Sequence, residues 1–257
     1  MLRNDIATKK TPRKRGIYLL PNILTTANLF CGFYCMLASM QGVYELASVV
    51  LVVAMILDSL DGRIARMTNT MSKFGAEFDS LADLVTFGVA PAILVYSWSL
   101  SAYGKWGWLV SFLFVVCGAL RLARFNIQIG IIESRVFNGL PIPGAASVIA
   151  TGVMLYFYLG GIGKYHDIPI LMATVALALM MVSNIKYYSF KDLNFFSRKP
   201  FMSFVLIVII LIIVAAEPQI TLFTFSVGYS LSGPFWWLIR HCRTTTKEKQ
   251  QACLKVK

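Results

Sequence analysis

The sequence predicts an all-α membrane protein, a polytopic bundle of helices. Of the 257 residues, 57% are hydrophobic and only 14% are charged, against about 25% charged residues in a typical soluble domain. Apolar segments long enough to cross a bilayer recur along the chain. The basic residues lie almost entirely in every second connecting segment, which is typical of a membrane protein with a fixed orientation.

Eight apolar segments are predicted as transmembrane helices. They lie at about residues 24–40, 44–62, 80–100, 106–122, 144–161, 168–184, 201–216 and 220–239. The first is interpreted as a membrane span and not as a signal peptide, because a long polar segment precedes it and no small-residue cleavage site follows. Pro141 and Pro143 mark a rigid turn that opens the fifth helix.

The distribution of basic residues predicts the orientation of the chain. With the N terminus in the cytoplasm, only Lys105 and Lys164 of the 24 Lys and Arg residues fall on the outer side. Because basic loops stay cytoplasmic, we expect both termini inside an integral protein of the inner (cytoplasmic) membrane. A basic face beside anionic lipid explains the formal net charge of +12, so no nucleic-acid partner is predicted.

The stretch DSLDGRIARMTNTMSKFGAEFDSLAD, residues 58–83, concentrates acidic side chains between two apolar runs. Asp58 and Asp61 are three residues apart in the second predicted helix, and Asp79 and Asp83 are four apart where the third begins. Each pair therefore lies on one helix face. We expect the two pairs to face each other at the cytoplasmic membrane edge, where uncompensated charge is costly.

A cation must compensate these carboxylates. Oxygen ligands without nitrogen or sulfur favour Mg²⁺ or Mn²⁺. An ion-pair network with Arg63, Arg66 and Lys73, or a proton or cation path through a transporter, is the alternative. His166 and His241 fall outside the stretch and the five cysteines form no CxxC pair, so zinc and structural disulfides are not expected.

The same stretch resembles the signature of the CDP-alcohol phosphatidyltransferase family, DxxDGxxAR followed after eight residues by GxxxDxxxD. Every fixed position is filled, by Asp58, Asp61, Gly62, Ala65, Arg66, Gly75, Asp79 and Asp83. The resemblance implies an enzyme that cleaves the diphosphate of CDP-diacylglycerol, releases CMP and passes the phosphatidyl group to an alcohol. It implies that the aspartates bind a divalent metal, that Asp58, Asp61 and Asp79 are the direct ligands, and that Asp83 borders the metal and serves as the catalytic base.

The resemblance also implies a site for CDP-diacylglycerol. Gly62 would leave space for the diphosphate, Arg66 would offer a forked guanidinium to its oxygens, and Gly75 would permit close helix contact. Asn22 and Thr25 belong to a polar stripe of the first helix that adjoins the nucleotide in the family. The alternative for this stripe is ordinary hydrogen bonding between helices.

Outside the signature, the chain resembles the phosphatidylserine synthase branch of the family. The similar segments are PNILTTANLFCG (21–32), FDSLADLVTFGVAPA (78–92), RLARFN (121–126), FNGLPIPGAA (137–146) and SNIKYYSFKDL (183–193). This resemblance implies L-serine as the acceptor, with glycerol phosphate, inositol phosphate or choline as alternatives. It also implies a homodimer.

A serine acceptor carries a carboxylate, which calls for a cation at the same membrane edge. Arg121 and Arg124 lie three residues apart at the cytoplasmic end of the fourth helix; contact with lipid phosphate is the alternative for both. Asn126 and Lys186 are further candidates at this edge. A cation transporter that uses the four aspartates is the competing function, although the outer halves of the predicted helices hold almost no ionisable residues.

The domain organisation predicted from these observations has four parts, with a six-helix catalytic core and two additional C-terminal transmembrane helices. They are a basic N-terminal segment at 1–20, the core at 21–200, the two additional helices at 201–240 and a basic cytoplasmic tail at 241–257.

Overall fold

The computed structural model of the chain describes residues 19–67, 72–128, 136–188 and 200–255. Most of the predicted basic segment at 1–20 lies outside these ranges. In chain order the described helices are α1 (Leu19–Met40), α2 (Tyr44–Met67), α3 (Lys73–Asp83), α4 (Ala90–Trp98), α5 (Lys105–Gln128), α6 (Ile142–Tyr158), α7 (Ile168–Val182), α8 (Pro200–Ala216) and α9 (Pro218–Lys255).

A helix coincides with each of the eight apolar segments. The third segment consists of α3 and α4 joined by a π-helical turn at Leu84–Val89, so one continuous helix runs from Lys73 to Trp98. Among the described residues, the helices long and apolar enough to cross a membrane are Pro21–Met40, Lys73–Trp98 and Lys105–Ile127. The apolar helices α6 and α7 are shorter. The predicted fold class, a helical membrane bundle, is therefore confirmed.

Proline and glycine explain several helix boundaries. Pro143 in α6 and Pro169 in α7 occupy the first turn, where the missing backbone N–H costs no hydrogen bond and the fixed φ already suits a helix. This confirms the predicted turn before the fifth span. Gly42, with φ +81°, lies in the short link between α1 and α2, because a left-handed residue reverses the chain there without a Cβ clash.

Two short strands were missed by the sequence analysis, which predicted helices alone. β1 (Val136–Asn138) pairs antiparallel with β2 (Lys186–Tyr188), and Phe137 lies opposite Tyr187. The pairing continues at Gly139, whose amide donates to the carbonyl of Ile185 at 2.9 Å. The strands form because the segments that leave α5 and α7 meet at one end of the bundle, where their backbone groups satisfy one another.

The helices pack around a core of small and apolar side chains. α1 lies along α2, α2 along α6, and α5 along α7. α9 packs against α6, whereas the described side chains of α8 are almost all exposed. The division into a six-helix core and two additional helices stays a prediction, but the two C-terminal helices differ, because α9 is built into the bundle and α8 lies at its periphery.

Candidate active site

Four aspartates from α2 and α3 meet at one end of the bundle. Oxygen atoms of Asp58, Asp61 and Asp79 all lie within 4.8 Å of one another. Asp83 lies against Asp58, and their carboxyl groups are within hydrogen-bonding reach. The expectation that the two pairs face each other is confirmed. The geometry divides them into a compact group of three and a fourth carboxyl beside it.

The local structure of α3 sets the direction of its two aspartates. Ser72 caps the helix, and its hydroxyl accepts from the amide of Gly75 at 2.9 Å. Immediately after Asp83 the helix changes to the π form over Leu84–Val89. Such turns insert an extra residue and are frequent at functional sites. No residue pattern in the sequence predicts this π-helical turn.

α1 holds the aspartates from the side. The hydroxyl of Thr25 lies 3.2 Å from Oδ2 of Asp61 and 3.1 Å from the carbonyl of Pro21, so its single proton is shared between the two acceptors. The amide of Gly62 donates to the Asp61 carboxylate as well. Asp61 is only 4% exposed. A carboxylate held by two donors in a buried position is oriented for a ligand.

Asn22 and Gly75 meet where α1 crosses the start of α3. A Cβ placed on Gly75 would lie 3.4 Å from Oδ1 of Asn22 and 3.1 Å from Oγ of Ser72. The tighter of the two approaches is to the serine that caps the same helix, so the role of Gly75 in contact between helices stays a prediction. Arg66, the cation of the signature, has its side chain outside the described residues, so its predicted contact with the diphosphate stays a prediction.

The carboxylates fit a divalent cation. Oδ1 of Asp79 and Oδ1 of Asp83 are buried, and neither has a hydrogen-bond partner within the described part of the chain. Buried anionic oxygens without donors are stable only beside a positive charge. Of the three basic residues in the ion-pair alternative, Arg63 and Lys73 are exposed to solvent, and the side chain of Arg66 is outside the described residues. The all-oxygen donor set suits a hard cation.

Arg121 is half-buried near the end of α5. It lies within electrostatic range of Asp83 and of Tyr229 in α9, and its role toward the acceptor stays a prediction. It also lies 5.5 Å from the centre of the Phe125 ring. Sequence reasoning missed Tyr229, since nothing in the last apolar segment distinguishes this tyrosine from a residue facing lipid.

Two of the other residues proposed for the acceptor bond to neighbouring helices or their ends. Nη2 of Arg124 donates to Oδ1 of Asn184 at 2.6 Å, which ties α5 to the end of α7. Nδ2 of Asn126 donates to Oγ of Ser80 at 3.1 Å, and so joins α5 to α3 between the two aspartates. The side chain of Lys186 is outside the described residues. Arg124 and Asn126 thus hold helices together in this structure.

Comparison with known proteins gives one family and several relatives. The model of the family described as CDP-alcohol phosphatidyltransferase matches residues 18–183. The CDP-diacylglycerol–serine O-phosphatidyltransferase of Helicobacter pylori (strain ATCC 700392 / 26695) is 39% identical over 228 residues, which cover 86% of this chain and 92% of that protein.

Two further relatives match a shorter part of the chain. The Bacillus subtilis (strain 168) protein with the same name is 37% identical over 174 residues, 67% of this chain and 91% of its own. The archaetidylserine synthase of Methanothermobacter thermautotrophicus is 39% identical over 170 residues, 65% of this chain and 69% of that protein.

Proposed function

The chain belongs to the CDP-alcohol phosphatidyltransferase family, and from this membership we propose that it transfers the phosphatidyl group of CDP-diacylglycerol to the hydroxyl of L-serine. The products are phosphatidylserine and CMP. The observation that carries the proposal is the convergence of Asp58, Asp61 and Asp79 within 4.8 Å at the signature positions of the family. Serine as the acceptor is supported by the relative from Helicobacter pylori, which covers 86% of this chain.

Asp58, Asp61 and Asp79 would hold the divalent metal ion, which we take to be Mg²⁺ or Mn²⁺ from the oxygen ligands. When bound, the ion supplies positive charge that lets an anionic diphosphate approach the carboxylates and stabilises the departing CMP. Thr25 keeps Asp61 in position through its hydrogen bond. In the donor site, Gly62 and Arg66 would adjoin the diphosphate, and Asn22, Thr25 and Gly75 would border the nucleotide.

Asp83 is the proposed base. The serine hydroxyl oxygen forms a bond to the phosphorus that carries diacylglycerol, the bond from that phosphorus to the CMP oxygen breaks, and Asp83 takes the hydroxyl proton. Asp83 lies beside the three proposed metal ligands. This position supports the role, since a base must reach the hydroxyl with an oxygen that does not bind the metal. Arg121, which interacts with Asp83, would bind the serine carboxylate.

The active site would face the cytoplasm, because Arg63, Arg66 and Lys73 lie in the sequence between the two aspartate pairs and basic segments stay on that side. The inner membrane supplies CDP-diacylglycerol to this face. A homodimer is proposed on the family resemblance alone.

The test is an assay of CMP release by the purified protein with CDP-diacylglycerol and a panel of alcohols. We expect release with L-serine and not with glycerol phosphate, inositol phosphate or choline. A reversed preference would overturn the proposed acceptor.

Metal dependence is tested in the same assay. EDTA should abolish CMP release, and added Mg²⁺ or Mn²⁺ should restore it, because the buried carboxylates need a cation to admit the diphosphate. Glu77→Gln is the matched control, since Glu77 lies in the same acidic stretch but is exposed; its metal requirement should equal that of the wild type. Full activity in metal-free protein would rule out the proposed mechanism.

A further inference from the structure

The side chain of Asn28 is a buried amide on the face of α1 that meets the aspartates. It is 0% exposed, and neither Oδ1 nor Nδ2 has a hydrogen-bond partner within the described part of the chain. A buried donor and a buried acceptor that stay unpaired lower the free energy of unfolding, and proteins pair nearly all such groups. An amide kept in this state is therefore a candidate for binding a ligand.

Two hydrogen bonds fix the position of Asn28 relative to the aspartates. Thr25, three residues before it on the same face of α1, has its hydroxyl 3.2 Å from Oδ2 of Asp61. The backbone carbonyl of Asn28 accepts from the hydroxyl of Thr86 at 3.2 Å, and Thr86 comes three residues after Asp83. Asn28 is thus held between the two helices that carry the aspartates.

Asn28 lies at the same depth as Asp58. Because a three-residue link joins α1 to α2, the two helices run in opposite directions. Three residues forward from Thr25 and three residues back from Asp61 therefore both lead about 4.5 Å deeper into the bundle, to Asn28 and to Asp58. The carboxyl group of Asp83 lies against Asp58, and its buried Oδ1 has no partner among the described residues either. Unpaired atoms of Asn28 and of the proposed base thus lie at one level of the site.

The chemistry of the amide selects its ligand. Nδ2 needs a hydrogen-bond acceptor, and Oδ1 needs a donor. A metal ion offers no acceptor to Nδ2, and the oxygens of a diphosphate offer no proton to Oδ1. A protonated amino alcohol offers both, because its ammonium group donates and its hydroxyl oxygen accepts. In L-serine these two groups are on neighbouring carbons, so together they can pair with both ends of one amide.

We propose that Asn28 binds the acceptor, with Nδ2 donating to the hydroxyl oxygen of L-serine and Oδ1 accepting from its ammonium group. The hydroxyl proton stays free for Asp83. This inference rests on the proposed function, because it requires an acceptor with an ammonium group beside its hydroxyl. Glycerol phosphate, inositol phosphate and choline have no N–H donor, so Asn28 selects serine over each of them.

The test is Asn28→Leu, which keeps the approximate size of the side chain and removes its donor and its acceptor. At saturating CDP-diacylglycerol, the KM for L-serine should rise about tenfold or more, because a hydrogen bond to a charged group is lost. The metal-dependent affinity for CDP-diacylglycerol should stay at the wild-type value. The unfolding temperature without serine should not fall, since an apolar side chain of similar shape leaves no buried group unpaired.

Two further variants complete the experiment. Asn28→Ala cannot overpack the site, and it should raise the KM for L-serine as Asn28→Leu does. Thr174→Val is the matched control for the loss of a buried polar group in another helix. Thr174 of α7 is 2% exposed, and its hydroxyl donates to the carbonyl of Ile170 at 2.8 Å. The KM of this control for L-serine should equal that of the wild type.

The inference is overturned if Asn28→Leu and Asn28→Ala have the wild-type KM for L-serine. It is also overturned if the affinity for CDP-diacylglycerol falls in its place, which would assign the amide to the diphosphate. A lower unfolding temperature of Asn28→Leu with weaker binding of both substrates, or the failure of both variants to fold, would give Asn28 a structural role and overturn the inference as well.

The same assay separates this inference from the proposed function. If the wild-type protein releases no CMP with L-serine, the proposed function itself is wrong. Activity with L-serine and an unchanged Asn28→Leu variant would remove only the role of Asn28.

Discussion

At the scale of single residues, the four aspartates differ in what surrounds them. Asp61 accepts from Thr25 and from the Gly62 amide, and donors of this kind stabilise the ionised carboxylate that a metal needs. Asp83 has one buried oxygen without a partner among the described residues and lies against Asp58. The surroundings support a ligand role for Asp61 and a proton-accepting role for Asp83.

Asparagine at each of these two positions should separate the roles. Asp83→Asn keeps the shape of the side chain, so it should preserve metal-dependent binding of CDP-diacylglycerol and lower kcat by about a hundredfold or more, as loss of a general base does. Asp61→Asn removes a ligand oxygen and should weaken metal and donor binding together. Donor affinity across a metal titration and CMP release at saturating L-serine are the two measurements.

One result would contradict the assignment of Asp61 as a ligand and Asp83 as the base. If Asp83→Asn raises the metal requirement as much as Asp61→Asn does, and high metal restores its turnover, then Asp83 is a ligand and the base lies elsewhere. Glu77→Gln is again the control for a loss of acidic charge at an exposed position.

At the scale of helices, a close backbone contact joins α1 to the π-helical turn. A Cβ on Gly32 would lie 2.8 Å from the Cα of Thr86 and 2.6 Å from its Oγ1. The Thr86 hydroxyl donates to the carbonyl of Asn28 at 3.2 Å. Because Thr86 meets Gly32 with its backbone, no rotamer change can make room for a methyl group. The contact therefore sets the distance between α1, which carries Thr25, and α3.

Gly32→Ala should force these two elements apart. We expect a loss of about 1 to 3 kcal/mol in the free energy of unfolding, the usual cost of overpacking, together with weaker binding of CDP-diacylglycerol. Thermal unfolding in detergent and a donor titration measure the two effects.

Gly228→Ala is the matched control for this substitution. Gly228 also lies within a helix, but a Cβ there meets no atom within 4 Å. The control should unfold at the wild-type temperature or slightly above, since alanine favours a helix over glycine. Equal unfolding temperatures for Gly32→Ala and the wild type would show that the contact is not tight.

At the scale of the whole molecule, the two ends of the bundle carry different kinds of side chain. Tyr44 begins α2, and its hydroxyl donates to the carbonyl of Ser97 at 3.0 Å. Trp98, Tyr156 and Tyr165 form an aromatic cluster at the same end, with ring centres 5.0 to 6.0 Å apart. The aspartates lie near the other end of α2, about 21 Å away at 1.5 Å per residue. This polarity suits a reaction at one membrane face and not a path across the bilayer.

The proposed orientation predicts which end of the bundle an impermeant reagent can label from outside a vesicle. In a chain without its five cysteines, Lys164→Cys in the loop before α7 should be labelled by a membrane-impermeant maleimide in right-side-out vesicles. Lys73→Cys at the start of α3 should be labelled only after detergent is added. Both lysines are exposed, so accessibility within the protein does not distinguish them. Labelling of Lys73→Cys in intact vesicles would reverse the orientation.

The sequence by itself determined the helical membrane class and the core of the candidate site. Hydropathy over about twenty residues predicts each span, because crossing a bilayer is a property of one local segment. The spacing of Asp58 and Asp61, and of Asp79 and Asp83, places each pair on one helix face, because that geometry depends only on the helix repeat. The family signature predicted that the two aspartate pairs form one site. Arg121 was predicted because the carboxylate of a serine acceptor requires a cation.

Only the tertiary structure decided which side chains complete this site. Thr25 of α1 donates toward Asp61, 36 residues further along the chain, and Arg124 bonds to Asn184, 60 residues further along the chain. The pairing of β1 with β2 likewise depends on where α5 and α7 end in space. Contacts between distant segments leave no periodic signal in either one. Their partners are set by the packing of several helices at once, which is why local patterns predicted the aspartates and missed the strand pair.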